Sequence, residues 1–233
     1  MRYPAIFLSL AVPVLAQVPA AELFNRQDLD GWRSPKGTWS VVERVLLDPA
    51  NPKAFIAKPG KGLMLNSAGE RTVNVLTERE FGDCKLHAEF CVSKGSNSGI
   101  YLMGRYEVQI FDSFGKEKVT FSDCGGIYER AVGDKGAGGR APDVNASKAP
   151  GEWQVFEITF RAPRFDASGH KIANAKFIEV KLNDQVVQNG IEAEGPTRAA
   201  TFNDEKPKGA LMLQGDHGPV AFRNLRIEEV TLP

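Results

Sequence analysis

The segment Arg105-Tyr106-Glu107-Val108-Gln109-Ile110-Phe111 alternates apolar and polar side chains with the period of two that marks a strand. Tyr106, Val108 and Ile110 then face a core, and Arg105, Glu107, Gln109 and Phe111 share the opposite face. A cation, a carboxyl, an amide and an aromatic ring in one row make a surface suited to acid–base work on a polar ligand. A second segment, Gln214-Gly215-Asp216-His217-Gly218, sets a carboxylate beside an imidazole, a side-chain type that titrates near neutrality and suits a general base. Asn97, in Ser96-Asn97-Ser98-Gly99, and the aromatic Tyr101 and Tyr128 add hydrogen-bonding and stacking groups.

Simpler readings fit the same residues. Arg105 and Glu107, two apart on one strand face, also suit a surface ion pair. Asp216 and His217 also suit a solvated turn, Asn97 a turn-shaping role, and Tyr128 a place in the core. His87 and Glu89 read as residues of a wet sheet face, and His170, beside Ser168-Gly169, as an exposed loop residue. Glu107, Asp216 and His217 are not spaced as a diagnostic metal-ligand set, so neither a metal nor another cofactor is expected.

The elements that must position these groups are short strands. Candidates run over residues 38–42, 63–65, 73–77, 85–92, 98–103, 106–111, 126–128, 154–160, 177–182, 211–214 and 220–230, separated by Gly, Pro, Asn and Asp clusters. No long apolar run has the helical period of 3.6, so helix should be scarce. Along 85–92, Leu86, Ala88, Phe90 and Val92 share one face and Lys85, His87 and Glu89 the other, as in a sheet with one wet side. In the last strand the apolar parity switches between Phe222 and Leu225, which predicts a bulge near Arg223-Asn224. The polar stretches 129–152 and 189–208 read as long loops able to rim a binding surface. Together these features predict an all-β sandwich of antiparallel sheets.

The chain has 233 residues, 42% of them hydrophobic, enough for one well-buried core. Lys and Arg total 29 and Asp and Glu total 29, so no net positive charge favours a nucleic acid partner. Residues 1–16 have the layout of a secretory signal peptide: Arg2, an apolar run, then a small-residue end at Val14-Leu15-Ala16. That run is well short of the ~20 residues that span a bilayer, so no membrane span is expected, and the chain is expected to be secreted or periplasmic after cleavage. In an oxidising compartment the three cysteines suggest one disulfide and one free thiol. Strand parity favours Cys84 with Cys124, the alternative being three free thiols.

Six segments in order carry a resemblance. They are 83–90 (Asp-Cys-Lys-Leu-His-Ala-Glu-Phe), 95–101 (Gly-Ser-Asn-Ser-Gly-Ile-Tyr), 105–109, 123–128 (Asp-Cys-Gly-Gly-Ile-Tyr), 151–153 (Gly-Glu-Trp) and 213–218. Together they resemble the 3-keto-disaccharide hydrolase family over one domain, residues 22–233. The resemblance implies a concanavalin A-like jelly-roll β-sandwich with a sugar site on its concave sheet. It also implies cleavage of glycosides whose C3 hydroxyl a separate 3-dehydrogenase has already oxidised. A C3 ketone acidifies the C2 proton, so a base can remove it, the C1 substituent can leave by elimination, and water can then add.

On that footing either His217 or Glu107 is the base, Asp216 orients the imidazole, and Arg105 stabilises developing negative charge. Asn97, Gln109 and Gln214 hydrogen-bond sugar hydroxyls, while Tyr101, Phe111 and Tyr128 contact a pyranose face. Gly215 is an extra residue against the family's Leu-Gln-Asp-His-Gly, and it could displace Gln214 relative to His217. An ordinary glycosidase of this fold class needs two or more carboxylates alternating on one strand, and only Glu107 stands in that row. A non-catalytic lectin-like module remains the other reading of the same face.

Overall fold

The computed structural model describes residues 19–233, and the expected signal segment 1–16 lies outside them. No helix occurs among the described residues, so none is long and apolar enough to cross a membrane. Among the described residues, sixteen strands follow one another. They are β1 (Ala21–Glu22), β2 (Ser40–Leu47), β3 (Phe55–Leu65), β4 (Val75–Phe81), β5 (Cys84–Val92), β6 (Asn97–Leu102), β7 (Tyr106–Phe111) and β8 (Arg130–Val132). After these come β9 (Lys135–Ala137), β10 (Gln154–Arg161), β11 (Arg164–Phe165), β12 (Lys171–Ala173), β13 (Ala175–Leu182), β14 (Gln185–Ala193), β15 (Gly209–Leu213) and β16 (Val220–Glu229).

Two antiparallel sheets form the sandwich. The larger has the order β14-β13-β10-β5-β16-β3-β2, with β1 paired to β16, and the smaller the order β4-β15-β6-β7. The all-β, jelly-roll-type architecture expected from alternation is therefore the one observed. Phe90, Phe156, Phe160, Phe177 and Phe222 from the larger sheet pack against Ile100, Tyr106, Val108, Ile110 and Leu213 from the smaller in one continuous core. Each fully buried aromatic contributes on the order of 2–3 kcal/mol.

Strand β5 keeps the expected parity, with Leu86, Ala88 and Phe90 buried while Lys85 is exposed and His87 and Glu89 are half-buried on the outer face. The register of β16 against β5 shifts between Arg223 and Arg226, and Asn224 takes φ 49°, so the predicted bulge is present. Two sequence expectations change. Residues 189–193, the start of the expected long loop 189–208, belong instead to strand β14 on the sheet edge. Residues 126–128 form no strand, and only Ile127 bridges, to Val108 and Arg140.

The expected Cys84–Cys124 disulfide is absent; Cys84, Cys91 and Cys124 are buried free thiols. Parity put Cys84 on the core side correctly but said nothing of its position along the strand. Cys84 lies with Leu102 and Met103 at one end of β6. The backbone N–H of Cys124 donates to Ser113 Oγ beyond the far end of β7. Six-residue strands span about 20 Å, well beyond the roughly 7 Å between Cα atoms that a disulfide tolerates. Burial pushes both thiols up to about 12, so neither is an activated nucleophile.

Candidate active site

The face of the smaller sheet turned away from the core carries the chemistry. Asn97, Gly99 and Tyr101 on β6 lie directly opposite Phe111, Gln109 and Glu107 on β7, so all six project to the same side. The expected row of polar groups is present but not wet: Arg105, Glu107 and Gln109 are all buried, because loops cross over this face. One of these is the segment after β14, held to β7 by Thr197 N–H to Arg105 O (2.7 Å) and Glu107 N–H to Thr197 Oγ1 (3.1 Å).

Beneath these loops a cleft of about 170 Å³ is lined by Asn97, Tyr101, Glu107, Gln109, Tyr128, Arg198, Ala199, Gln214 and His217. Residues separated by more than a hundred positions in the chain meet here. The extra Gly215 does not separate Gln214 from His217, since both line the cleft. Gly215 is instead packed where a Cβ would overlap Val73 O, and its N–H donates to Asn74 Oδ1 at 3.0 Å.

Glu107 is 2% exposed. Burial raises its carboxyl to about 8, the charge of Asp216 adds to the rise, and a hydrogen bond from the Tyr101 hydroxyl opposes it. The group is therefore largely protonated at neutral pH and can give a proton. The carboxyl lies over Gly99, where any side chain would overlap Glu107 Oε1. His217, by contrast, is exposed at the mouth, and its Nδ1 bonds Asp216 Oδ1 at 2.6 Å. With Nδ1–H donated to the carboxylate, the lone pair falls on Nε2, the tautomer of a proton acceptor.

Two amide oxygens here have no partner: Gln109 Oε1 and Gln214 Oε1 are buried without a hydrogen bond in the protein. Gln109 is fixed through its Nε2, which donates to Asn97 Oδ1 (3.1 Å) and Ser122 O (3.2 Å). Orphaned buried acceptors are costly unless a ligand donor meets them, and sugar hydroxyls are such donors. Tyr128, half-buried and packed edge-on against Phe121 at 5.2 Å, offers the aromatic wall.

Three expected site residues are placed differently. Arg105 points into a neighbouring hollow, where Nη2 pairs with Asp204 Oδ1 (2.6 Å), Nε donates to Asp204 O (2.5 Å) and Nη1 donates to Met103 O (2.8 Å). Its guanidinium also covers the Phe202 ring at 4.7 Å, so it serves to tie the 202–209 loop to β7. Phe111 stands under Lys116 Nζ at 4.6 Å and does not line the cleft. Tyr101 lines the cleft, but through the hydroxyl bonded to Glu107 and not as an open sugar platform.

Sequence reading passed over Arg198 and Ala199, which sit in a polar loop without periodicity. Ala199 takes φ 64°, a conformation costing an alanine about 1–3 kcal/mol that tends to be kept where a site needs it. Among the described residues, no group of three or more His, Cys, Asp or Glu is arranged to hold a metal ion.

Residues 19–228 match the model of the 3-keto-alpha-glucoside-1,2-lyase-like domain. Among solved structures, one from Parabacteroides distasonis, provisionally named a glycosyl hydrolase, is 27% identical with a TM-score of 0.65, over 96% of this chain and 94% of that one. A second from the same organism, named likewise, is 20% identical with a TM-score of 0.60, over 91% of this chain and 100% of that one. A third, at 15% identity and a TM-score of 0.56 over 91% and 94% of the two chains, shares the fold. No curated protein matches the chain.

Proposed function

The chain belongs to the 3-keto-alpha-glucoside-1,2-lyase-like domain family and is carbohydrate-active. From that premise we propose that the cleft cleaves 3-keto-glycosides, 3-keto-disaccharides among them, by elimination across C1–C2 followed by hydration. The observation that carries this reading is the meeting of two proton-transfer groups in one cleft: an imidazole whose Nδ1 is bonded to Asp216, and a carboxyl whose burial favours its protonated form.

In this mechanism His217 Nε2 takes the C2 proton, and the C–H electron pair moves into a C2–C3 double bond as the ketone oxygen becomes an enolate. Re-formation of the ketone pushes out the C1 substituent, creating a C1–C2 double bond. The departing oxygen takes its proton from Glu107. Water then adds, its hydroxyl to C1 and a proton to C2, giving the free 3-keto sugar. Between the two bases left open by the sequence, this assigns His217 to proton removal and Glu107 to the acid role. Gln109, Gln214 and Asn97 hold hydroxyls, and Tyr128 holds the ring face.

The substrate must come from a separate oxidoreductase acting at C3, and the leader-like segment 1–16 supports placing the reaction in the periplasm or outside the cell. The test is product analysis by mass spectrometry after parallel incubation with a 3-keto-disaccharide and its unoxidised parent. Cleavage of the keto compound alone supports the proposal. Binding of both without turnover moves the reading to a lectin-like module.

A further inference from the structure

The enolate places a full negative charge on one oxygen, and elimination of that charge's cost needs a cation or several donors aimed at it. Arg105, the cation on the β7 row, points out of the cleft into the neighbouring hollow, where it meets Asp204, Met103 O and Phe202. The amides of Asn97, Gln109 and Gln214 are neutral, and Glu107 carries no positive charge in either state. Of the residues lining the cleft, Arg198 alone bears a permanent positive charge.

We propose that Arg198 is the catalytic residue that binds and neutralises the enolate oxygen, with Glu129 as the positioning residue that sets its guanidinium. This rests on the elimination reading given above. Arg198 Nη2 meets Glu129 Oε1 at 3.1 Å, and Arg198 N–H donates to Glu129 O at 2.9 Å, so both ends of the residue are tied to the same partner. Glu129 directly follows Tyr128, the aromatic wall, whose N–H donates to Glu107 O at 3.3 Å. On its other side Arg198 follows Thr197, which is bonded both to Arg105 O and to the Glu107 N–H. The guanidinium is thus anchored through short paths to the strand that carries the acid. Its proximity to Tyr128 is felt at the phenol, where Arg198 opposes the rise caused mainly by burial. The left-handed turn at Ala199, closed by Ala200 N–H to Thr197 O at 3.0 Å, brings Arg198 back over the sheet.

The experiment measures two steps on a 3-keto-disaccharide: release of hydrogen from C2 to solvent, and cleavage. The proteins are the wild type, Arg198→Ala, Arg198→Lys and Glu129→Gln. The expected result is that Arg198→Ala slows both steps by about 10²–10³-fold through kcat. The KM should change far less, the melting temperature should hold, and added guanidinium should restore part of the rate. Arg198→Lys should retain more activity than the alanine variant, and Glu129→Gln should fall between them. Wild-type kcat in Arg198→Ala, with the wild type itself active on the keto substrate, overturns the assignment and leaves the elimination reading standing. Lack of cleavage by the wild type overturns the reading and this inference with it.

Discussion

Glu107 and His217 divide the proton work through their surroundings, not their residue types. A carboxyl 2% exposed and raised to about 8 gives up the acid role as pH rises through that value, so turnover of a disaccharide should fall there. Glu107→Gln should cut disaccharide cleavage by about 10²–10⁴-fold. The same variant should lose far less on a 4-nitrophenyl 3-keto-glucoside, whose leaving group needs no proton, and on that substrate the alkaline fall should vanish. Rate–pH profiles on the two substrates check this. Stability follows the same group. Between the ordinary carboxyl value near 4.5 and about 8 the folded state binds a proton that the unfolded state has lost, so folding weakens as pH rises through that window. Glu107→Gln should remove that slope, measured as melting temperature against pH. His217 and Glu107 were both legible as chemistry in the sequence, because alternation fixed the face of one and the Asp-His pair marked the other. Their division of roles was not legible, since it depends on burial contributed by loops far away in the chain. Arg105 misled for the same reason: alternation gave its face correctly, but Asp204, ninety-nine residues on, claims its charge.

At the scale of elements, β6 and β7 work as a pair. Gly99 is bare so that the Glu107 carboxyl can cross above it. Gly99→Ala should therefore displace that carboxyl and cost up to about 10²-fold in kcat, since a misplacement near 1 Å is enough. A melting curve close to wild type would separate this from loss of fold. The loop after β14 forms the roof, and the Arg105–Asp204 clamp holds its C-terminal end against β7. Asp204→Ala leaves the buried Arg105 guanidinium without its carboxylate partner and should lower the melting temperature by a few degrees. The strands of both sheets were legible wherever apolar residues alternate, and the β16 bulge was legible from its parity switch. Strand β14 was missed because Gln185–Ala193 is an edge strand rich in polar residues, with only Val187 and Gln188 fully buried, so little alternation marks it. Arg198 and Ala199 were missed because a turn with a left-handed alanine leaves no periodic trace.

The whole molecule places the cleft on one sheet and its stability in the core between both. That core needs no covalent support. Cys84 and Cys124 sit at opposite ends of the sandwich, buried and held in the thiol form. Reductant should leave the melting temperature unchanged, and a thiol reagent should titrate the three cysteines only after denaturation. The fold class was legible from many short alternating strands, whereas the missing disulfide was not, because parity fixes a face and says nothing of distance along the sheet. The central claim is that bond cleavage begins with loss of the C2 hydrogen. It is tested most directly with a 3-keto-disaccharide carrying deuterium at C2, incubated in ordinary water beside the unoxidised disaccharide, and mass analysis of the sugar released. The account predicts that the keto sugar product has lost its deuterium while the unoxidised disaccharide stays intact; product that keeps the deuterium, or cleavage of the unoxidised sugar, would contradict it.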